Sequence, residues 1–480
     1  MSDDRAGTVA VLGAGIAGLV AAGELEARGH RVTVLEGSPR IGGRVHTHRF
    51  GSAEGAPLAE LGAMRIPGDH TLTMRYVHRL GLGAQLQPFR TVLTDDNNYL
   101  RVQQRFVRAR EAAPHLVAQL RPLLGAAVHR PETMLFGAWL LATVNAMAPR
   151  ELRTGVRADL AGLLAAADGL DLRPFLYGPT ADRVDLVALL RAHPELRRFC
   201  GPRLDTFLDD IVREAGGDQW YLRGGMSLIT DRLAARLSAP VRTGQEVVSL
   251  AVDDDGVGVG LDDGRSRYVS RYRAVLCTIP FSVLRGVAVD GIDDDKRQVL
   301  AAVDYGGATK IALHCREPFW TRSGIAGGAS ATGGRLRQTY YPPVEGDPRL
   351  GAALLASYAI AEDAAVLGAL PEPERHAAAV EEAAALHPEL REPGMVLGAA
   401  SLAWDGYRWS KGCTARRWGK TATETAEEIR RAARRQGGLF FAGEHCSSMP
   451  AWINGAIESA LTTVAEVDAF TRDPQHAAHA

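Results

Sequence analysis

The stretch "TVAVLGAGIAG", residues 8–18, decides the fold of this chain. Its apolar run ends in a glycine-rich turn, after which "IAGLVAAGELEARG" has the pattern of a helix and "HRVTVLEG" that of a second strand. Strand, turn, helix and strand in this order predict a βαβ unit. Three glycines have G-x-G-x-x-G spacing, which lets pyrophosphate oxygens approach the N–H groups at the positive end of the helix dipole. The predicted dinucleotide contacts in this turn are Gly13, Ala14, Gly15, Ala17 and Gly18.

An acidic residue ends the second strand of this unit. Glu36 follows the glycine turn by about 20 residues, where a carboxylate accepts hydrogen bonds from a ribose hydroxyl. The same charge repels a 2′-phosphate, so NADP is disfavoured. Taken alone, the glycines are also compatible with a strand-to-helix turn that binds no ligand. Their position between the predicted strand and the predicted helix favours dinucleotide binding.

Length and composition limit the classes of function. A chain of 480 residues is long for a single core, so two or more domains are expected. The formal net charge is −1, which gives neither a basic surface for nucleic acid nor an acidic tail. The expected partner is a small molecule, with no nucleic acid and no membrane.

The chain offers no targeting or metal motif. The polar start "MSDDRAG" leads directly into a strand, which is the wrong order for a secretory signal, so a cytoplasmic location is expected. The most apolar run, residues 134–148, is too short to span a bilayer comfortably and contains Asn145, which favours a buried helix. Five scattered cysteines lack C-x-x-C spacing, so neither disulfides nor a zinc site is predicted.

The rest of the chain changes its periodicity several times. Residues 107–220 are rich in Ala, Leu and Arg and have helical patterns broken at prolines, which predicts a helical insertion. Residues 246–280 alternate in steps of two around D-G turns, which predicts antiparallel strands that return to the sheet. Further strands are predicted at "ATKIALHC" and "LGAALLASYAI", and an amphipathic helix at "PEPERHAAAVEEAAALHPEL".

The residues after Glu36 distinguish FAD from NAD. The pattern E-x5-GGRV, residues 36–45, resembles the flavin amine oxidase family, in which an arginine at the position of Arg44, beside Gly43, pairs with FAD phosphates. Paired glycines let the backbone close over a cofactor while a guanidinium neutralises it. A surface arginine after a turn is the alternative.

The resemblance extends along most of the chain and implies its architecture. The implied architecture is an α/β, two-domain flavoprotein with a Rossmann-type FAD-binding domain, a mixed-sheet substrate domain and a helical insertion. The implied FAD-binding segments are residues 1–70, 221–285 and 430–472. The implied substrate-domain segments are residues 71–106 and 286–429, followed by a helical domain at 107–220 and a disordered tail at 473–480.

The resemblance implies further contacts to FAD. Val247 would meet the adenine, and Glu444 would lie near the ribityl chain. The helix that begins around Trp452 would direct its N–H groups at flavin N1 and C2=O, where negative charge develops on reduction. Asn454 departs from the family, which usually has a carboxylate there. The other implied contacts are Gly62, Met64, Arg65, Gly443 and Ile453.

A lysine stands in an otherwise apolar strand. Lys310 lies ten residues before Trp320, the spacing that flavin amine oxidases show for a lysine hydrogen-bonded through water to flavin N5. Among Ile311, Ala312 and Leu313 its ammonium needs an acceptor. The alternative is an edge lysine whose head reaches solvent.

The substrate end is indicated by "LAELGAMRIP", residues 58–67. A guanidinium among apolar residues cannot lose its proton, so a buried Arg65 needs an anion. The stretch is similar to the L-amino acid oxidase branch, including bacterial aromatic amino acid oxidases, which implies that Arg65 and Tyr358 hold the substrate α-carboxylate. Trp452 matches that branch's aromatic wall, and the Ala451 carbonyl would accept from the amino group. A structural ion pair for Arg65 is the alternative.

A cysteine points to a different branch. Cys413 follows Trp404 by nine residues, where monoamine oxidases attach FAD through sulfur and amino acid oxidases typically do not. A thiolate there could add to flavin C8α, although a small buried thiol is the favoured interpretation. Thr414 replaces a tyrosine of the monoamine oxidase cage, which weakens the simple-amine hypothesis.

The resemblance implies catalysis by Arg65, Lys310, Tyr358 and Trp452. In the implied reaction the substrate would pass a hydride from the carbon that bears its neutral amine to the flavin, and water would convert the resulting imino acid to a 2-oxo acid and ammonia. Dioxygen would take the two electrons back from the flavin and become hydrogen peroxide. The alternatives are an amine oxidase, an amino acid monooxygenase or dehydrogenase, and a non-catalytic module that escorts small GTPases. The aromatic residues Trp452, Trp220, Tyr340 and Tyr341 favour an aromatic or large apolar substrate side chain. The helical insertion of the family suggests a homodimer.

Overall fold

Three distant parts of the chain build one parallel sheet. The computed structural model describes residues 8–473 except 93, 202–203, 206 and 209–217. Four strands in it run parallel, in the spatial order Arg31–Leu35, Thr8–Leu12, Ala274–Cys277 and Leu439–Phe441. The helix Ile16–Ala27 connects the first two strands in the chain, so the predicted βαβ unit is present.

The strands of the parallel sheet are apolar on both faces. Val9, Val11 and Leu276 point to a core that includes the helices Ile16–Ala27 and Ile453–Arg472. The residues between them, such as Ala10, Leu12 and Val275, point to a second core. This alternation follows from the two-residue period of a strand, and it explains why the sequence shows continuous apolar runs here.

A separate, mainly antiparallel sheet covers the second core, which corrects the expectation that residues 246–280 return to the parallel sheet. Within those residues, Ala274–Cys277 alone among the described strands joins the parallel sheet. The D-G turns instead close local hairpins, because a tight turn pairs a strand with its neighbour in the chain. The four strands of the separate sheet are, in order, Arg267–Tyr272, Gly256–Asp262, Glu246–Asp253 and Ala288–Asp290.

A larger sheet, here called the large mixed sheet, supplies the opposite side of the molecule's main cavity. Its neighbours pair antiparallel except Ala329–Ala331 and Tyr99–Val102, which are parallel. In its centre Lys310 lies opposite Tyr358. The spatial order of its seven strands is Val396–Ala403, Ala308–Cys315, Ala352–Ile360, Gln338–Tyr340, Ala329–Ala331, Tyr99–Val102 and Arg105–Arg108.

The region predicted to be helical is mainly helical. Pro131 opens the helix Pro131–Met147, which is buried along most of its length as predicted for residues 134–148. Throughout the described part of the chain, each helix is too short or too polar to cross a bilayer. The described helices of this region are Ala113–Leu120, Pro131–Met147, Arg150–Ala167 and Leu186–Ala192.

The end of this region is not helical. Gln219–Leu222 is a strand between Ile66–Pro67 and Leu86–Pro88, so the boundary expected between residues 220 and 221 falls inside a strand. Other paired strands are Leu176–Tyr177 with Arg183–Val184, Thr47–Arg49 with Leu58–Glu60, and Tyr305–Gly306 with Thr414–Ala415.

Shorter helices connect and cover the sheets. They are Thr71–Arg79, Ser227–Ala234, Phe281–Leu284, Asp294–Ala302, Ala361–Gly368, Glu372–Ala383 and Ala422–Ala433. The segment Glu372–Ala383 is the predicted amphipathic helix. The tail predicted to be disordered begins at Asp473, and its residues 474–480 lie outside the described residues.

The glycine turn has no space for one additional methyl group. A Cβ on Gly18 would lie 1.9 Å from the Gly13 carbonyl oxygen, which is backbone and cannot rotate away. We expect Gly18→Ala to lower the free energy of unfolding by about 1 to 3 kcal/mol, because the turn must open to admit it. Thermal unfolding followed by circular dichroism measures this.

Gly23 in the same helix provides the matched control. A Cβ there would lie 4.0 Å from a Leu237 methyl group, an ordinary contact distance. Gly23→Ala is expected to be neutral or to stabilise by up to about 1 kcal/mol, since alanine favours a helix. Equal destabilisation by both variants would contradict the close-packed turn.

Candidate active site

A cavity of about 970 Å³ extends from the glycine turn to the large mixed sheet. Known ligand cavities span roughly 300 to 1,000 Å³, so it has room for a large cofactor. The sequence-predicted residues in its wall are Gly13, Gly15, Ala17, Glu36, Gly43, Arg44, Gly62, Met64, Arg65, Val247, Lys310, Tyr358, Cys413, Gly443, Glu444, Trp452 and Ile453. The structure thus brings together residues that lie as far apart in the chain as 13 and 453.

Two predicted residues lie behind this wall and support it. Ala14 donates its N–H to the Glu36 carboxylate at 2.7 Å, and Ser38 N–H donates to the other oxygen at 2.8 Å. Gly18 packs directly against Gly13. Burial raises the pKa of Glu36, and the two backbone donors act against this shift. The carboxylate is therefore fixed at the cavity edge, where it can accept from a ribose hydroxyl.

An ion pair between the half-buried Arg44 and the buried Glu444 lies in the cavity wall. Arg44 Nη1 donates to Glu444 Oε1 at 2.6 Å and to the Cys413 carbonyl at 2.9 Å. The N–H groups of Ala415 and Ala451 donate to Glu444 at 3.2 Å each. Burial raises the pKa of Glu444, but Arg44, His445 and the Ala451 N–H together outweigh it, and the pKa lies below its ordinary value. Both residues were predicted to contact FAD, and their pairing was not predicted.

The basic end of the cavity contains Arg65. This residue is buried, and its guanidinium lies 5.9 Å from the Phe89 ring and 5.8 Å from the Trp452 ring. Its Nη1 donates to the Tyr340 hydroxyl at 3.3 Å. The Trp452 ring is itself held edge-on by His70, with ring centroids 4.9 Å apart. Arg65 therefore has a defined position between two aromatic faces.

Lys310 lies beside this end of the cavity. Its Nζ donates to the carbonyl oxygens of Gly62 at 2.6 Å and Glu60 at 3.3 Å. The same atom is 4.7 Å from the centroid of the Tyr358 ring. The alternative of an edge lysine is wrong, because its strand has neighbours on both sides and the side chain is buried. The carbonyl acceptors hold an ammonium in the wall.

The helix Ile453–Arg472 begins at the cavity without a carboxylate in its first turn. Asn454 instead faces the start of the helix Thr71–Arg79, where its Oδ1 accepts from the N–H groups of Leu72 at 3.0 Å and Thr73 at 3.1 Å. A neutral amide thus caps a second helix. The sequence departure at this position therefore has a structural role that spacing alone did not indicate.

Cys413 lines the cavity, as either interpretation of it requires. Burial raises the pKa of its thiol to about 11, although Arg44 and Lys310 act in the opposite direction. The thiolate, not the thiol, is the nucleophile, so this environment disfavours addition to a flavin.

The sequence argument missed several aromatic residues near the cofactor cavity. The Trp404 indole donates to the Leu61 carbonyl at 2.9 Å, and the Arg40 guanidinium lies 5.5 Å from the Tyr407 ring. A Cβ on Gly37 would lie 2.3 Å from the Trp409 ring, so glycine is needed there for close contact. The available signal was the aromatic content of "WDGYRWSKGC", which the motif argument used only for Cys413.

Two other aromatic residues, Trp220 and Tyr341, do not line the cavity, so the structure does not support their expected use in side-chain recognition. The Trp220 indole donates to Asp218 at 2.7 Å. The Tyr341 hydroxyl lies 2.7 Å from both Ser330 Oγ and His387 Nε2. Adjacent residues of a strand point to opposite faces, so Tyr340 and Tyr341 cannot both face Arg65.

One cavity thus has a glycine turn of the dinucleotide-binding type at one end and a buried arginine at the other, an arrangement typical of a dinucleotide-dependent enzyme. Residues 16–468 match the family described as "Flavin containing amine oxidoreductase". The chain belongs to this family. The predicted family, the flavin cofactor FAD and the oxidoreductase class are thereby confirmed.

Individual proteins show the same relationship. The chain is 51% identical over 462 residues to the flavin-dependent L-tryptophan oxidase RebO of Lentzea aerocolonigenes, covering 96% of this chain and 98% of the relative. It is 28% identical to the putative L-amino-acid oxidase YobN of Bacillus subtilis (strain 168), covering 96% and 94%. Wild-type putrescine oxidase bound to putrescine has the same fold, with a TM-score of 0.62 at 18% identity over 97% of this chain and 99% of that chain. The predicted two-domain flavoprotein fold is confirmed, while the domain boundaries and the roles of single site residues stay predictions.

One carboxyl group beside Lys310 gives the stability of the protein a specific pH dependence. Glu60 accepts from Met226 N–H at 2.7 Å and from the Thr47 hydroxyl at 3.0 Å, and burial raises its pKa from 4.5 to about 7. The folded protein therefore keeps a proton that the unfolded chain loses above its pKa of 4.5. Stability from this group is lost as pH rises to about 7, by about 1 to 3 kcal/mol.

Glu60→Gln should remove this contribution. Chemical denaturation of the variant and the original protein between pH 5 and pH 7.5 measures the difference in stability. The comparison is needed because the half-buried His46 and the buried His387 and His445 have lowered pKa values, which make stability rise with pH. Glu54→Gln, at an exposed carboxylate, is the control. Parallel pH profiles for the original protein and Glu60→Gln would contradict the assignment.

The raised pKa of Cys413 predicts that FAD is held without a covalent bond. After acid precipitation, the yellow colour is expected in the supernatant, and Cys413→Ala should retain flavin and activity to within about twofold. The absorbance of pellet and supernatant near the flavin maximum measures this. Flavin that stays with the precipitated protein, and is released from Cys413→Ala, would establish the opposite.

Proposed function

We propose that the protein is an L-amino acid oxidase for aromatic side chains. It would convert an L-amino acid to the imino acid and then the 2-oxo acid, with release of ammonia and hydrogen peroxide. The observation that carries this proposal is the buried Arg65 in the cavity wall, held between two aromatic rings and close to the residues that surround Lys310. The L-tryptophan oxidase that is 51% identical supports an aromatic substrate.

The residues around the cavity fit FAD along its length. The glycine turn and Glu36 suit the adenosine and pyrophosphate, and the start of the helix Ile453–Arg472 suits a group that becomes negative. When bound, the flavin supplies a two-electron acceptor. The protein's own contribution is then to position the substrate and to set the charge around it.

Arg65 and Tyr358 are proposed to hold the substrate carboxylate. A guanidinium binds a carboxylate through two parallel N–H bonds, which fixes both the position and the plane of the substrate. The rings of Phe89 and Trp452 limit movement of the guanidinium. This orientation is the main catalytic contribution, because a reacting C–H bond must meet its acceptor at a defined distance and angle.

The charges of the site favour the reactive form of the amine. Lys310 donates to two carbonyl groups and Arg65 is permanently charged, so both place positive charge beside the substrate. Like charges disfavour an ammonium group, so the substrate amine loses its proton more readily there. Ala451 lines the cavity in a left-handed conformation with φ of +68°, and its carbonyl is the proposed acceptor for that amine.

Oxidation of a simple amine is the second candidate function, motivated by Cys413. The Thr414 hydroxyl donates to Glu444 at 3.1 Å, where a monoamine oxidase would have a cage tyrosine. A simple amine also has no carboxylate that Arg65 could bind.

The proposal has three further parts. They are dioxygen as the electron acceptor, a cytoplasmic location and a homodimer.

Substitution of Arg65 tests the proposed function. Arg65→Met should lower kcat/KM for L-tryptophan roughly 30- to 5,000-fold, because the substrate carboxylate loses its partner. This factor corresponds to a loss of about 2 to 5 kcal/mol of transition-state stabilisation. Tryptamine, which lacks the carboxylate, should not suffer this loss. Peroxide release from a panel of L-amino acids and their decarboxylated amines measures both.

Arg90→Met is the matched control for this experiment. The Arg90 guanidinium is largely exposed and pairs with Asp95 at 3.0 Å. Its removal is expected to leave the preference for tryptophan over tryptamine unchanged. If Arg65→Met keeps the KM for tryptophan and still prefers the acid, the assignment of Arg65 is refuted.

A further inference from the structure

We propose that Tyr340 is a positioning residue that sets the orientation of the Arg65 guanidinium for the substrate carboxylate. This inference rests on the proposed amino acid oxidase function. It assigns a role to a side chain that precedes Tyr358 by eighteen residues and belongs to a different strand of the large mixed sheet.

The contacts of Arg65 differ in how strongly they depend on direction. The Phe89 and Trp452 rings attract the guanidinium from 5.9 and 5.8 Å, but this attraction changes little when the group rotates in its own plane. The hydrogen bond from Nη1 to the Tyr340 hydroxyl, at 3.3 Å, weakens when its angle departs from linearity. The rings therefore hold the guanidinium in place, and the hydrogen bond to the hydroxyl adds a preference for one orientation.

The acceptor is itself held in place. Tyr340 is 5% exposed and is paired in register with Ala329 on one side and Leu355 on the other. Its ring centroid lies 5.9 Å from that of Phe89 and 6.3 Å from that of Tyr358. Because sheet neighbours and rings surround the side chain, the hydroxyl cannot swing away from Arg65.

The chemistry of the acceptor also suits the role. A phenol hydroxyl accepts one of the five N–H groups of a guanidinium and carries no charge. It therefore orients Arg65 without neutralising it. A carboxylate in the same place would compete with the substrate for the same positive charge.

Tyr340 also connects the two proposed carboxylate-holding residues. Its hydroxyl contacts Arg65, and its ring lies next to that of Tyr358. Tyr358 in turn lies opposite Lys310 in the sheet. A rotation of Arg65 would therefore misalign the carboxylate with respect to Tyr358, and this would weaken substrate binding before it affects the chemical step.

Tyr340→Phe keeps the ring and removes only the hydroxyl. The KM for L-tryptophan is expected to rise by about ten- to hundredfold, the range for loss of a hydrogen bond to a charged group, while kcat changes by less than about threefold. The KM for tryptamine should not change. Indole-3-acetate has the carboxylate without the amine, and its Kd from calorimetry should rise by the same factor as the KM.

Tyr341→Phe is the matched control, because its buried hydroxyl contacts Ser330 and His387 instead. It is expected to lower the melting temperature and to leave KM and Kd unchanged, which separates loss of a buried hydroxyl from loss of orientation. In an Arg65→Met background, Tyr340→Phe should raise KM no further, since its effect acts through Arg65.

The outcomes separate this inference from the proposed function. If Arg65→Met raises the KM for tryptophan and Tyr340→Phe does not, the role of Tyr340 is overturned and the oxidase function stands. If the original protein turns over no L-amino acid, the proposed function fails, and the Kd of indole-3-acetate still tests Tyr340. An equal rise in KM for Tyr341→Phe would also overturn the inference.

Discussion

The ion pair between Arg44 and Glu444 connects the two ends of the chain at the cofactor cavity. The partners are 400 residues apart in the chain. Each follows a strand of the parallel sheet, Arg44 the strand Arg31–Leu35 and Glu444 the strand Leu439–Phe441. Taking a charge out of water is costly unless it is paired and hydrogen-bonded, and Glu444, which is buried, has the half-buried Arg44 as its partner. The backbone donors Ala415 and Ala451 satisfy the remaining carboxylate lone pairs. Through them the pair also fixes the strand that follows Cys413 and the turn that precedes Trp452.

The parts of the fold that the sequence predicted depend on local geometry. The turn at Gly13 and Gly18 leaves a spacing signature because the backbone itself has no room for a side chain. The D-G hairpins were predicted for the same reason, but the sheet that they join was not. Sheet membership depends on contacts with distant strands, and a hairpin pattern is equally compatible with either sheet. The pairing of Arg44 with Glu444 could not be predicted for a similar reason, because it depends on a contact between distant parts of the chain. Each residue alone is compatible with a contact to FAD, Arg44 with its phosphates and Glu444 with its ribityl chain.

Two buried lysines have similar surroundings but different roles, so the need of a buried ammonium group for acceptors does not by itself identify a site residue. Lys296 Nζ donates to the carbonyl groups of Arg431 and Ala432, at 2.6 and 2.8 Å, and lies 4.2 Å from the Phe441 ring centroid. Lys310 has the same pattern of two carbonyl acceptors and one aromatic ring. Lys296 satisfies the last carbonyl groups of the helix Ala422–Ala433 and has a structural role, whereas Lys310 lines the cavity. Apolar neighbours in the sequence therefore indicate that a lysine is buried, but they do not indicate its role. The spacing to Trp320 was the feature that distinguished Lys310, which lines the cavity, from Lys296.

The neutral side chain at position 454 completes the electrostatics of the reacting end. A carboxylate there could cap the helix Thr71–Arg79 equally well, but it would place a negative charge in the first turn of the helix Ile453–Arg472. That charge would oppose the positive end of the helix dipole at the cavity, where negative charge is expected to develop. Arg44 neutralises Glu444 nearby. Among the site residues described above, Arg65 and Lys310 therefore carry the remaining charges beside the start of the helix Ile453–Arg472. The amide of Asn454 thus joins two helices without reducing the positive potential that favours both a bound carboxylate and a reduced, anionic cofactor.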